Sequence, residues 1–241
     1  MGRTREALSV SATESKPRRR NTAAAARRRE REDEILAATR ALFDARGVRD
    51  AQIEDIASAV GINRAIIYRH FSGKEELFAL TLEGYLNELA DVMGDADDKA
   101  MSPDNRLRAV ASAFLVFGES YPAFVDCAQA LLRRPGDELM EDVSEAAMFR
   151  LGRAIAACLS RLVRVLDAGV ADGSFRVKNP DLLANVLYTQ ALGGLQLARL
   201  QLTVSETTPG FPEISSVSFD EVKEYLIEAA VAMASGAGSR S

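Results

Sequence analysis

Residues Gln52 to Phe78, QIEDIASAVGINRAIIYRHFSGKEELF, constrain this chain more than any other stretch. Ile53, Ile56, Ala57 and Val60 recur at i, i+3, i+4 and i+7, which puts them on one face of a helix. Gly61 follows and supplies the left-handed turn that ends it. Asn63 is a favourable cap for a second helix, Arg64 to Phe71. That helix buries Ile67 and Phe71 and presents Arg64, Arg69 and His70. Two short apolar helices joined by a glycine turn have helix-turn-helix logic: one braces, the other enters a major groove.

The charge balance fits that reading only once it is partitioned. The chain carries −5 overall. Residues 1–29 hold nine basic side chains against Glu6 and Glu14, a charge of +7, which leaves −12 for the rest. A basic arm ahead of an acidic body points to nucleic acid rather than to general stickiness. Enzyme chemistry finds little purchase. His70 is the only histidine, so no histidine dyad or His-rich metal cluster can form. Neither GxGxxG nor GxxxxGK occurs. The carboxylate pairs Asp97-Asp98 and Glu141-Asp142 read as solvated faces. Cys127 and Cys158 are too few for a disulfide framework and suit a reducing cytoplasm, with inert packing their expected role. No run of 18 apolar residues exists, so no membrane span is expected, and no secretory signal is expected at the N-terminus.

The order Asp55-Ile56-Ala57, Gly61-Ile62-Asn63, Tyr68-x-His70-Phe71 and Lys74-Glu75-x-Leu77 resembles the DNA-binding signature of the TetR family of transcriptional regulators. The likeness runs from about Glu30 to Leu89. It implies an all-α fold: a three-helix DNA-binding domain, then a helical ligand-binding and dimerisation bundle, about nine helices in total. It also implies that the residues matching Tyr68, His70 and Lys74 contact phosphates, setting register rather than sequence. Where the family often has a threonine before the bracing helix, this chain has Ala51-Gln52. Where it often has glycine and a hydroxyl residue in the recognition helix, this chain has Ala65-Ile66, and Ile66 can pack on a thymine methyl instead. The expected DNA-binding set is therefore Gln52, Asn63, Arg64, Ala65, Ile66, Tyr68, His70 and Lys74. Arg64 is the member able to read a guanine edge.

Taken in order, residues 1–27 read as a disordered basic arm, 28–76 as the DNA-binding domain, 77–235 as the ligand-binding and dimerisation domain, and 236–241 as a flexible tail. The first helix is expected from about Arg28 to Arg46. Ser72-x-x-Glu75 reads as a capping box for the fourth. Further helices are expected over Ser102–Tyr121, from Pro122 to before Pro135, over about Asp137–Ala168, from Asn179-Pro180 to about Leu202, and over Phe219–Ala234. Thr203 to Ser218 reads as a loop.

Within the body, Phe114, Phe117, Tyr121, Phe124, Cys127, Met148 and Tyr188 are candidates for a ligand pocket. Aromatic and methionine residues at helical spacing also suit plain core, and the resemblance is what favours a pocket for a small, lipophilic effector. Leu187, Ala191, Gly194, Val222 and Leu226 are candidates for a homodimer interface, the Gly193-Gly194 pair implying either close helix packing or a kink. The expected function is a homodimeric repressor of a palindromic operator on double-stranded DNA, relieved by that effector, with no cofactor. An effector-independent architectural DNA-binding protein is the alternative.

Overall fold

A computed structural model of the chain describes residues 16–133, 138 and 141–236. Among these, nine α-helices and one two-stranded hairpin form. The head comprises α1 (Lys16–Arg46), α2 (Ile53–Val60) and α3 (Arg64–His70). The body comprises α4 (Lys74–Ala96), α5 (Pro103–Ser120), α6 (Pro122–Leu132), α7 (Glu145–Asp172), α8 (Pro180–Leu200) and α9 (Phe219–Ser235).

The head closes over Ile35, Phe43, Ile53, Ile56, Ala57, Ile67 and Phe71, all buried. The turn forms as the residues dictate. Gly61 has φ 70°, and the Asn63 side chain accepts from the Ala65 amide at 2.9 Å. Helix α1 differs from expectation. It begins at Lys16, well before Arg28, because the Ala23–Ala26 run is made of the best helix former and offers nothing that stops a helix. The expected disorder of residues 1–15 and the tail beyond Gly236 lie outside the described residues.

Helix α4 joins head to body. Its N-cap is Gly73, which has no side chain to give, and the expected Ser72–Glu75 box does not form. Glu76 takes that role one residue later: its carboxylate accepts from the Ser72 amide at 2.5 Å and from the Ser144 hydroxyl at the start of α7. The Ser72 hydroxyl donates to the Asp142 carbonyl at 3.1 Å. A buried carboxylate thus ties the last turn of the head to the body.

In the body, α4 and α7 form the most extensive helix pair. Helix α7 starts at Glu145, with Ser144 as cap, rather than near Asp137, which lies outside the described residues. Gly118 lets α5 approach Leu195 of α8, and Gly194 lets α8 approach Leu226 of α9. The expected loop after α8 is instead an antiparallel hairpin, β1 (Leu202–Thr208) and β2 (Phe211–Ser216), with Val204 opposite Ile214. Pro209-Gly210 at its tip, with Gly210 at φ 83°, and the β-branched residues of β1 were the available signal.

Candidate nucleic-acid interface and effector cavity

Helix α3 turns Ile67 inward and leaves Arg64, Ala65, Tyr68 and Arg69 exposed. Gln52 caps α2 on the exposed surface, where its amide meets Asp55 Oδ2 at 3.3 Å. Ile66 is half-buried. Lys74 opens α4 with its ammonium 5.0 Å above the Phe78 ring. The amides of that first turn have no side-chain cap, which suits an anion.

Two of the expected contact residues are held. Arg64 Nη1 lies 2.8 Å from Glu54 Oε1, reaching back from α3 to α2, and the Glu54 carboxyl is lowered by its own backbone hydrogen bond and by Arg64. Both side chains are more than half exposed, so the pair is weak in water and exchangeable for a base edge. His70 is less open than its place in the sequence suggested. Its ring is half-buried and Nδ1 sits 3.3 Å from Glu32 on α1, a carboxylate that also holds Arg28 at 2.9 Å.

In the body, a cavity of about 30 Å³ is lined by Ala111, Phe114, Leu115 and Leu162, and by Leu187, Tyr188, Gln190 and Ala191 on α8, with Leu226 and Ala230 on α9. Burial raises the Tyr188 phenol, keeping it a neutral donor. From the cavity wall an aromatic chain runs toward the head. Phe114 meets Tyr188 at 5.8 Å and Phe124 at 5.9 Å, Phe124 meets Phe117 at 5.5 Å, and Phe117 meets Tyr121 at 4.7 Å. The Arg40 guanidinium of α1 caps it, 5.1 Å from the Tyr121 ring and 4.3 Å from that of Tyr85. Arg40 also pairs with Glu88 at 2.5 Å, and the Tyr85 hydroxyl donates to Asp44 of α1 at 2.5 Å.

Residues 35–81 match the model of the bacterial regulatory proteins of the tetR family. The HTH-type transcriptional repressor KstR2 of Mycobacterium tuberculosis is 31% identical over 159 residues, covering 64% of this chain and 72% of that one. The chain belongs to the TetR family. Its fold is shared by RolR in complex with resorcinol, with a TM-score of 0.62, 16% identity, and 87% and 90% of the two chains covered. It is shared too by FadR of Bacillus subtilis in complex with stearoyl-CoA, with a TM-score of 0.59, 13% identity, and 83% and 97% covered. The protein is thus an all-α, helix-turn-helix transcriptional regulator. No helix among the described residues is long and apolar enough to cross a membrane.

For this TetR-family regulator the body residues sort unevenly. Phe114 and Tyr188 line the cavity, whereas Phe117, Tyr121 and Phe124 form the aromatic chain behind it. Cys127 is buried among that core, and burial pushes its thiol up to about 12. Cys158 is likewise pushed up to about 12 by burial, and its thiol donates to the Leu86 carbonyl at 3.1 Å. Met148 is not part of the cavity. It lies at the start of α7 beside a shallow hollow with Phe149 and Glu145. Ala111, Leu115, Leu162, Gln190 and Ala230 were missed, although the first two share the helical face of Phe114.

Of the five residues expected at a dimer interface, Ala191, Gly194 and Leu226 are half-buried. Leu187 and Val222 are buried, and Gly194 packs on Leu226 of the same chain. The outer stripe of α8 holds other residues: Leu182, Val186, Thr189, Gly193, Leu197 and Leu200, all exposed. A mostly apolar helix calls for cover on every side. Within one protomer, this side is not covered.

Proposed function

We propose that the protein is a homodimeric repressor that binds a palindromic operator and is released by a small, largely apolar ligand. The observation that carries this is the head: a capped recognition helix presenting Arg64, Ala65, Tyr68 and Arg69, beside the uncapped first turn of α4. Arg64 leaves Glu54 to read a guanine, while Tyr68, Lys74 and the adjacent amides hold phosphates. The similarity to KstR2, a named repressor, supports the sign of regulation.

The exposed stripe of α8, with Tyr225 of α9, supplies the dimer face. Tyr225 is 81% exposed and Leu182 and Leu200 about 60%, an apolar surface that a second copy covers. A groove of about 660 Å³ beside it, lined by Leu197, Val222, Tyr225 and Leu226, admits partner side chains.

The cavity has room for little more than a water, so a ligand must part α5 from α8 and α9 to enter. Displacing Phe114 and Tyr188 moves the aromatic chain, and Arg40 passes that movement to α1. A ligand with an apolar skeleton and one acceptor facing the Tyr188 hydroxyl fits the lining. RolR and FadR, which share the fold, are each described with a small organic ligand, which supports the effector part.

The test begins with selection of binding sites from random duplexes. Arg64→Ala relaxes preference at one symmetric base pair, by about 1–3 kcal/mol, whereas Lys74→Ala weakens all sequences alike. Unchanged selectivity in Arg64→Ala overturns the base-reading assignment. Lipophilic metabolites are then screened for thermal stabilisation, and a stabilising compound releases the selected operator. Stabilisers that all leave DNA affinity untouched overturn induction.

A further inference from the structure

Where the α1–α2 loop meets α6 and the end of α8, the surface opens into a cleft of about 500 Å³. Four arginines line it, Arg46, Arg49, Arg133 and Arg199, against the carboxylates of Asp50 and Asp126. Arg199 holds Asp126 at 2.7 Å, and Arg46 sits 3.8 Å from Asp55. Arg49 and Arg133 are exposed and have no acidic partner among the described residues. Gln196, bonded to Gln129 at 3.0 Å, adds an amide to the wall.

This gathering runs against the charge of its surroundings. Beyond the basic arm the chain carries −12, a net charge that disfavours anions. Here guanidinium groups converge from two parts of the molecule. Arg46 and Arg49 belong to the head, Arg133 and Arg199 to the body. Guanidinium forks match phosphate oxygens two at a time, and unpaired ones are ready to do so. The volume is that of a small-ligand site, and the lining is too polar for the apolar effector proposed above.

We propose that this cleft binds a small molecule carrying two or more phosphate groups, held by Arg49 from the head and by Arg133 and Arg199 from the body. Asp126 orients the Arg199 guanidinium and offsets part of its charge. Such an anion bridges the α1–α2 loop and helices α6 and α8, a second point at which a ligand ties head to body. It is independent of the apolar cavity and of any operator, so its failure leaves the repressor reading standing.

The experiment melts the full chain in sodium tripolyphosphate and in sodium chloride of equal ionic strength. At roughly ten times its Kd, tripolyphosphate raises Tm by about 2–4 °C. Arg49→Gln and Arg133→Gln each abolish that rise while keeping the Tm of the ligand-free chain, since both replace exposed side chains. A rise that survives both substitutions, or that chloride reproduces, overturns the site. Weaker operator binding by either variant without tripolyphosphate also overturns it, because the cleft would then face the DNA backbone.

Discussion

Head and body are built from the same materials, aliphatic cores inside helices, yet they hold their candidate functional groups in opposite ways. In the head those groups lie outside. Arg64, Tyr68 and, at the junction with the body, Lys74 decorate a core they do not help to build, and Arg64 is restrained by a single exposed ion pair. In the body Phe114, Phe117, Phe124 and Tyr188 are themselves the core. A substitution in the head can therefore change recognition without changing stability, while one in the body changes both. The two sides of α8 repeat the contrast within one helix: Gly194 faces the protomer's interior and Gly193 faces open space.

That pair gives the largest expected effect. In Gly194→Leu the new side chain collides with Leu226 and overpacks the α8–α9 contact, costing about 3 kcal/mol. Gly193→Leu meets nothing within the protomer, so the fold survives, but the outer stripe no longer mates. Denaturant titration and sedimentation separate the two. Gly193→Leu should sediment as a folded monomer and Gly194→Leu should lose stability first. A stable dimer carrying Gly193→Leu breaks the assignment of the outer face.

The adjacent glycines also mark where the sequence ceased to be legible. The head could be read residue by residue because its signals are local: Gly61 ends α2, Asn63 caps α3, and Ile67 and Phe71 point inward within one short segment. The body's helices were legible as helices, from Pro103, Pro122 and Pro180 at their starts and Gly173 at an end. Which face meets which neighbour is a tertiary fact. Met148 and Tyr188 look equally eligible in sequence, yet only Tyr188 reaches the cavity. Nothing local reveals that Leu226 of the same chain packs against Gly194. The hairpin is less legible because only β1 is rich in β-branched residues, Thr203, Val204, Thr207 and Thr208, while β2 has Ile214 alone and contains Pro212.

Glu76 sharpens the boundary between the two regions. Its carboxylate serves the Ser72 amide on one side and the Ser144 hydroxyl on the other. Glu76→Ala leaves both donors without their acceptor and costs about 2–3 kcal/mol. Hydrogen exchange should rise in the first turns of α4 and α7 together. The hydrogen bonds from Ser144 and Ser72 outweigh burial and hold this carboxyl below its ordinary value. Its stabilisation is therefore present above the unfolded pKa and is lost as pH falls through the lower folded one. Exchange confined to a single helix would mean that head and body are not joined there.

Alkaline pH tests the body alone. Burial pushes the Cys127 and Cys158 thiols up to about 12, while in the unfolded chain they ionise near the ordinary thiol value. Below that value both states are protonated and nothing changes. Above it the unfolded state alone loses the protons, so stability falls by about 1.4 kcal/mol per thiol for each pH unit until the folded pKa is reached. Cys127→Ala should remove one thiol's share of the slope of unfolding free energy between pH 9.5 and 11. An unchanged slope would mean that Cys127 is open to solvent.

The smallest effect concerns the arm, where the head's exposed chemistry reaches its limit. Arg18, Arg19, Arg20, Arg27, Arg28 and Arg29 lie in the first half of α1, and each phosphate neutralised steepens the salt dependence of log K by about 0.9. If the arm were a loose chain, all six could find phosphates. Helix α1 runs from Lys16, however, and consecutive residues on a helix point about 100° apart, so Arg27, Arg28 and Arg29 cannot all face one duplex. Arg28 is further occupied by Glu32, which holds it at 2.9 Å. Removing residues 1–26 should therefore flatten the salt slope by a few units at most and weaken specific and nonspecific binding together. Arg28→Ala should change the slope by less than the 0.9 of one phosphate contact, because its charge is already matched. Titrations at several salt concentrations, on operator and on random duplex, read both changes. An unchanged slope after truncation makes the arm a solubilising tail, and a full unit lost in Arg28→Ala means that DNA draws that arginine away from Glu32.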